Sequence, residues 1–256
     1  MAFVQQKTGN ASAVTSVSLA FDSDVTAGNH IIDLVSWYDT STPNLPVGGI
    51  TDTQSNTHTI AIQTDTTEAS VAIGYAENVA AGATTVTIDP DNTGLYFTAA
   101  IVEWSGLASS GSLDKITSNT GTSNSPSVGP TATLSQADEV IFALAVARIP
   151  GSSDVGFDVP ATTGYTNIYV FQNWTLICSH ASDYKEVSNT AGQSAAWGTL
   201  TSASANWAAV LATFKVAGGP AGIDGELDQN IGNITLSATG QVVIRGTGTG
   251  NVIGAV

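Results

Sequence analysis

Few residues in this 256-residue chain could perform nucleophilic chemistry. A nucleophilic serine or cysteine needs a poised base, usually histidine, and the histidines are His30, His58 and His180. The sequence contains no Gly-x-Ser-x-Gly motif. Ser179 and Asp183 are close to His180 in sequence, but a strand directs neighbouring side chains to opposite faces. We therefore expect structural histidines and a protein that is not an enzyme.

Paired carboxylates are the alternative route to catalysis, because a glycosidase uses two of them. Glu103, which precedes Trp104, and the pair Asp138 and Glu139 are the most prominent acids in apolar sequence. Glu103 lies within a predicted strand, where an outward-facing acid needs no catalytic role. The sequence gives no sign that two of these acids meet.

A calcium site is a further hypothesis, since calcium binds six to eight oxygen atoms in a flexible loop. Asp89, Asp91 and Asn92 supply such oxygens around Pro90, and Asp22 and Asp24 form a smaller cluster. The loop lacks the spacing and the bidentate glutamate of a helix-loop-helix site. Asp, Pro, Asn and Gly also favour turns without any metal, so we expect no cofactor, with calcium as the weak alternative.

Two tryptophans suggest a glycan-binding surface. Trp174 follows Gln172 and Asn173, and Trp197 stands among small residues, so both are predicted near strand ends. An exposed ring there could stack on a sugar, whereas a ring at the edge of the sandwich would pack against it. Three others, in strongly apolar strands, are predicted to be core residues: Trp37, Trp104 and Trp207.

The charge distribution argues against nucleic acid and membrane partners. The chain carries 6 basic and 21 acidic residues, a formal charge of −15, and only 11% of its residues are charged. Neutralising phosphates requires clustered cations, and the six here are scattered singly. An acidic surface rich in Thr, Ser, Asn and Gly instead keeps many copies soluble.

Targeting and cysteine signals are sparse. Cys178 is the single cysteine, so no internal disulfide is predicted, and its apolar neighbours indicate a small buried residue. Residues 1–7 lack the features of a signal peptide. No apolar run approaches the ~18 residues that span a bilayer. We expect synthesis in a cytoplasm and release by cell lysis.

Short β-type runs recur along the chain and predict an antiparallel β-sandwich of jelly-roll type over residues 1–217. Residues 134–145 and 207–214 also fit a helical period, but their Val, Ile, Phe and Thr content favours strands. The predicted strands include 17–21, 31–38, 60–62, 71–75, 86–88, 96–104, 140–147, 167–171, 174–180 and 206–216.

The C-terminal residues differ in character from the rest. Residues 218–225 read as a Gly/Pro linker and 226–256 as a β tail. Such a short tail cannot bury enough surface alone, so its apolar residues predict contact with the main domain, sister copies or a shell protein. The alternative is a partly disordered tail. The contact residues are Ile234, Leu236, Val242 and Ile244.

Several segments resemble structural proteins of tailed bacteriophages. The likeness covers about residues 14–217 and lies in patterns of small and apolar residues that carry no chemistry. The tail segment LDQNIGNITLSATGQV at 227–242 is similar to a short repeat of phage capsid and tail-associated proteins. The segments of the main domain are GNHII at 28–32, VSWY at 35–38, GITDT at 49–53, YAENVAAGATTVTI at 75–88, VEWSGL at 102–107 and WAAVLATFK at 207–215.

The resemblance implies an accessory virion protein on the particle surface, with capsid decoration favoured over tail or fibre positions. It transfers no catalytic residues. Open strand edges in the tail predict a homo-oligomer, and a trimer closes them around a symmetry axis. The expected partner is a major capsid protein or another virion protein. The alternative function is a carbohydrate-binding adhesion module of a phage fibre or bacterial surface protein.

Overall fold

The structure is a computed structural model. It describes residues 1–38, 45–67, 69–90, 95–148, 156–157, 164–173, 178–200 and 204–218. The chain divides into a compact unit, Met1–Gly218, and a second unit, Gly219–Val256. The predicted tail and all of the predicted linker except Gly218 therefore lie outside the described residues. No helix that could cross a membrane is found in the described part.

Fifteen β strands and no helix make up the regular structure of the described residues, which confirms the all-β prediction. The two segments with a helical period are strands, β11 and β15. The strands are β1 Ala2–Val14, β2 Val17–Ala20, β3 His30–Tyr38, β4 Ile50–Asp52, β5 His58–Asp65, β6 Ser70–Ala76, β7 Thr85–Ile88, β8 Leu95–Ser105, β9 Leu113–Ser123, β10 Ser127–Val128, β11 Asp138–Arg148, β12 Thr166–Asn173, β13 Cys178–Ser188, β14 Ala195–Ala196 and β15 Ala205–Lys215.

Strands β1 to β8 form a jelly roll, which we call the first jelly roll. Its large sheet has the order β1-β8-β3-β6-β5, and its small sheet has the order β2-β7-β4. A jelly roll pairs its first strand with its eighth and its second with its seventh, and both pairings are present and antiparallel. One strand departs from this plan, because β5 extends the large sheet beside β6.

Strands β9 to β15 repeat the same plan and form the second jelly roll. Its large sheet has the order β9-β15-β11-β13-β12, and β10 pairs with β14 in a small sheet. Position by position, this is the order of the first large sheet. The described strands include no counterpart of β4, and between β11 and β12 only residues 156, 157, 164 and 165 are described. The chain therefore contains two tandem copies of one topology.

The repeat extends to the register of the strands. Ile32 lies opposite Tyr75 in the first large sheet, and Phe142 lies opposite Tyr184 in the second. The edge strand beside each of these tyrosines contains a β-bulge. The bulge lies at Ala61 in β5 and at Ile168 in β12. β-bulges are conserved features of related folds, so these two bulges mark equivalent positions in the two jelly rolls.

Within the described residues, three apolar cores separate four sheets. The central core lies between the two large sheets, and each outer core lies between a large sheet and its small sheet. Strands β3 and β11 contribute to two cores each because successive side chains point to opposite faces. This explains why both strands carry apolar residues at successive positions. Their central-core residues are Ile32 and Leu34 of β3 with Val140, Phe142, Leu144 and Val146 of β11.

Two long strands were not predicted, and one predicted strand is displaced. β1 and β9 are edge strands of their sheets, and their mixed polar sequences carry little apolar alternation. The strand predicted at 174–180 begins at Cys178 and continues to Ser188, while residues 174–177 lie outside the described part. Edge strands bury less surface than central ones, so the sequence constrains them less.

Candidate functional site

A buried ionic cluster joins the two sheets of the first jelly roll. His58 begins β5, and its Nδ1 lies 2.7 Å from Asp33 Oδ2 on β3. Its Nε2 lies 3.2 Å from Asp52 Oδ2, at the end of β4 in the small sheet. All three side chains are shielded from solvent. The imidazole therefore bridges two carboxylates that belong to different sheets.

The electrostatics of this cluster favour the charged histidine. Burial alone would lower the pKa of His58, but the carboxylates of Asp33 and Asp52 outweigh it and raise that pKa to about 9. Burial also opposes ionisation of Asp52, yet hydrogen bonds from Asn56 and His58 lower its pKa. At neutral pH the imidazole is therefore protonated, and its contacts with Asp33 and Asp52 hold β4 against the large sheet.

Glu103 lies in the outer core of the first jelly roll and is completely buried. Its Oε1 accepts from the backbone N–H of Thr26 at 2.9 Å and from Asn29 Nδ2 at 2.5 Å. Its Oε2 accepts from Gln5 Nε2 at 2.6 Å. The carboxylate thereby ties β1 and the segment before β3 to β8, and both of its oxygens already have partners.

Glu139 and Asp114 form a pair of neighbouring carboxyl groups in the second jelly roll. Burial, with the nearby Asp114 carboxylate, raises the pKa of Glu139 to about 7. Burial also acts on Asp114, but hydrogen bonds from Ser135 and Lys115 hold its pKa well below the usual range. Ser135 donates through its backbone N–H at 2.7 Å and its hydroxyl at 2.5 Å. At neutral pH Asp114 is therefore ionised, whereas the pKa of Glu139 lies close to the pH of the solution.

His180 is a neutral histidine within the central core. Its Nδ1 lies 2.8 Å from Ser36 Oγ of the other large sheet, and its Nε2 lies 3.0 Å from Ser182 Oγ. Complete burial lowers its pKa to about 3. Asp183 faces the outer core, where it accepts from Trp197. His180 and Asp183 therefore lie on opposite faces of β13, as their spacing predicts, and do not meet.

The two tryptophans predicted to bind glycans have different outcomes. Trp197 is only 1% exposed, and its Nε1 donates to Asp183 Oδ2 at 2.7 Å. Phe157 packs edge-on against its ring at 6.5 Å. A ring enclosed in this way offers no face to a sugar, so Trp197 is a core residue. Trp174 lies outside the described residues.

The metal hypothesis is only partly within the described chain. Asp89 is exposed directly after β7, whereas Asp91 and Asn92 lie outside the described residues. Asp22 bonds to Lys7 Nζ at 2.6 Å. Over the described ranges, no three His, Cys, Asp or Glu side chains are grouped as metal ligands. Four residues predicted to contact a shell or sister copies are also outside them: Ile234, Leu236, Val242 and Ile244.

The open sheet edges are the surface feature best suited to contact another protein. β1 and β9 occupy equivalent edges of the two large sheets, each paired on one side within the described chain. Phe3 and Val4 on β1 are 40% and 42% exposed, and Ile116 on β9 is 46% exposed. Unpaired strand edges with apolar side chains can accept a further strand. Sequence reasoning missed this surface because neither strand was predicted.

The fold defines the class of this chain: an all-β protein built from two tandem jelly rolls that share a central core. Its buried ionisable groups link strands and sheets within that architecture. The chain matches no model of a known protein family, and no curated protein or solved structure is significantly similar to it.

Proposed function

We propose that this chain is an accessory structural protein of a tailed-phage virion, displayed on the capsid surface as a decoration protein. The observation that carries the proposal is the pair of equivalent open edges, β1 and β9, with exposed Phe3, Val4 and Ile116. They offer backbone groups and apolar side chains for attachment to a shell.

Four further features support this role. Jelly rolls are a recurrent fold of viral capsid proteins. The buried groups Glu103, His58 and Asp183 link strands and sheets of the sandwich, which suits a protein displayed on a particle. The formal charge of −15 disfavours nonspecific adhesion between many displayed copies. The phage-like sequence patterns supply the specific link to a virion.

The mechanism proposed is attachment through strand pairing and apolar contact, followed by oligomerisation. The apolar residues of the C-terminal tail, including Ile234 and Ile244, would contact the major capsid protein or sister copies. A homotrimer would close the tail edges around its axis. Mutations in β1 and truncation of the tail test these two attachment surfaces separately.

Cryo-electron microscopy of the parent particle is the direct test. We expect regular capsid density that is lost when the chain is truncated after Val216 or when Phe3 and Val4 are both replaced by lysine. Val47→Lys is the matched control, because Val47 is fully exposed but lies outside both edge strands. Density confined to the phage tail, or none on the particle, would overturn the decoration role. A monomer by light scattering, both free and released from particles, would overturn the trimer.

A further inference from the structure

A surface cleft lies beside the turn that joins the two jelly rolls. It has a volume of about 270 Å³ and is lined by Thr57, Thr59, Tyr75, Glu77, Asn78 and Ser109. These residues come from the start of β5, the end of β6 and the joining turn. The volume is just below the ~300 Å³ lower limit of typical small-molecule sites, so the cleft suits a ligand of one or two small rings.

The cleft presents several polar groups that the protein itself does not use. Within the described residues, five lining side chains make no hydrogen bond to the protein: Thr57, Thr59, Tyr75, Asn78 and Ser109. Hydroxyl groups both donate and accept, and an amide offers both functions at separate atoms. A ligand with several hydroxyl groups could therefore satisfy them together.

The lining is held rigidly on one side. Glu77 Oε1 accepts from the backbone N–H and the hydroxyl of Ser112, both at 2.6 Å, and its Oε2 accepts from Gly111 N at 3.0 Å. Asn78 has a φ of 50°, a left-handed conformation that residues other than glycine adopt infrequently. The following residue, Val79, exchanges backbone hydrogen bonds with Gly28 and Asn29. The amide of Asn78 is thus presented from a fixed backbone.

Charge narrows the class of ligand. Glu77 is the single ionisable acid of the lining and no lysine or arginine accompanies it, so an anionic ligand would be repelled. One carboxylate is too few for a calcium site, which needs six to eight oxygens. The partly buried ring of Tyr75 adds an apolar surface, and sugar-binding sites combine such a surface with hydrogen-bonding groups.

We propose that this cleft binds a neutral saccharide unit through Thr57, Thr59, Asn78 and Ser109, beside the ring of Tyr75. The site is distinct from the edge strands assigned to particle attachment and from the two tryptophans of the sequence-based glycan hypothesis. It would give the displayed protein a second activity, adhesion to a glycan surface. Its failure would leave the attachment proposal unaffected, because the two are tested on different residues and with different partners.

Saturation-transfer NMR on the full chain is the test, with methyl glycosides of glucose, galactose, mannose, N-acetylglucosamine and rhamnose as probes. At ~10 mM, a site with a Kd of about 1 mM would be nearly saturated. We expect at least one neutral glycoside to bind, and glucuronate to bind more weakly than glucose. Absence of a signal from every neutral glycoside, or tighter binding of glucuronate, would overturn the proposal.

Variants locate the binding site. The double variant Asn78→Gly with Thr59→Val should weaken binding by about tenfold, because it removes two hydrogen-bonding side chains. Glycine adopts the left-handed backbone freely, and valine matches the shape of threonine on an exposed strand, so folding should be retained. Thr8→Val on β1, at the opposite edge of the same sheet, is the matched control. Equal binding by the double variant and the control, both with wild-type melting temperatures, would overturn the assignment.

Discussion

Tyr75 and Tyr184 occupy equivalent positions in the two jelly rolls, and each packs its ring against an aromatic residue of the other jelly roll. Tyr75 meets Phe214 with ring centroids 5.3 Å apart, and Tyr184 meets Trp104 at 4.9 Å. Both contacts are edge-to-face, a favourable geometry for aromatic rings. The two jelly rolls are therefore joined by a reciprocal pair of contacts across the central core.

Trp104 is central to that junction, since it also packs edge-on against Phe142 at 5.4 Å and is fully buried. We expect Trp104→Ala to lower the free energy of unfolding by about 3–5 kcal/mol through cavity formation. Phe3→Ala is the control, because Phe3 contacts the same cluster but is 40% exposed, and it should cost about 1 kcal/mol or less. Denaturant unfolding measures both. Similar losses in the two variants would contradict this account of the junction.

The ionic cluster of His58 makes stability depend on pH. The pKa of His58 is raised from 6.5 to about 9 in the folded protein, so its stabilising contribution is complete below pH 6.5 and is lost as the pH rises through 9. We expect His58→Asn to cost about 3 kcal/mol more at pH 6 than at pH 10. Unfolding curves of wild type and variant across this range test it. A constant difference between them would show that His58 is not charged in the fold.

Replacing Glu139 should raise the free energy of unfolding, whereas replacing His58 should lower it. The pKa of Glu139 is raised to about 7 in the folded state, so the folded protein favours the protonated acid, and stability is lost as the pH rises from 4.5 through 7. We expect Glu139→Gln to raise the free energy of unfolding by about 1–3 kcal/mol at pH 8 and to have little effect at pH 4.5. The exposed neighbour Asp138→Asn is the control and should change the free energy of unfolding at pH 8 by less than about 0.5 kcal/mol. Destabilisation by Glu139→Gln at pH 8 would refute the prediction.

The hydrogen bond from Trp197 to Asp183 can be tested by a matched pair of substitutions. Trp197→Phe removes a donor from a buried carboxylate and should cost about 2–3 kcal/mol. Trp207→Phe removes a 2.9 Å bond to the neutral hydroxyl of Ser123 and should cost about 1 kcal/mol. Melting temperatures compare the two variants directly. We also expect Trp197→Phe to leave glycoside binding unchanged; equal stability costs would argue against a special role for Asp183.

The sequence by itself determined the all-β class and the central strands. β3 could be recognised because a strand buried on both faces must be apolar at successive positions, and β11 because its Val, Ile and Phe content favours a strand. The preference for strands over helices at 207–214 was also correct, since β-branched and aromatic residues fit a pleated, buried surface. Edge strands β1 and β9 carry no such constraint and were missed. The sequence also showed that His180 and Asp183 must face apart, because alternation is a local property of a strand.

The tertiary structure decided which distant residues meet and that the topology is duplicated. Asp33 and His58 are separated by 25 positions and meet only because β3 and β5 flank β6 in one sheet. The duplication lies in strand order and register, which become visible only when the strands are paired. Trp197 is buried because Asp183 and Phe157 lie over it, which its small sequence neighbours do not reveal. Local alternation fixes the direction of a side chain, whereas its partners depend on long-range pairing of strands and packing of sheets.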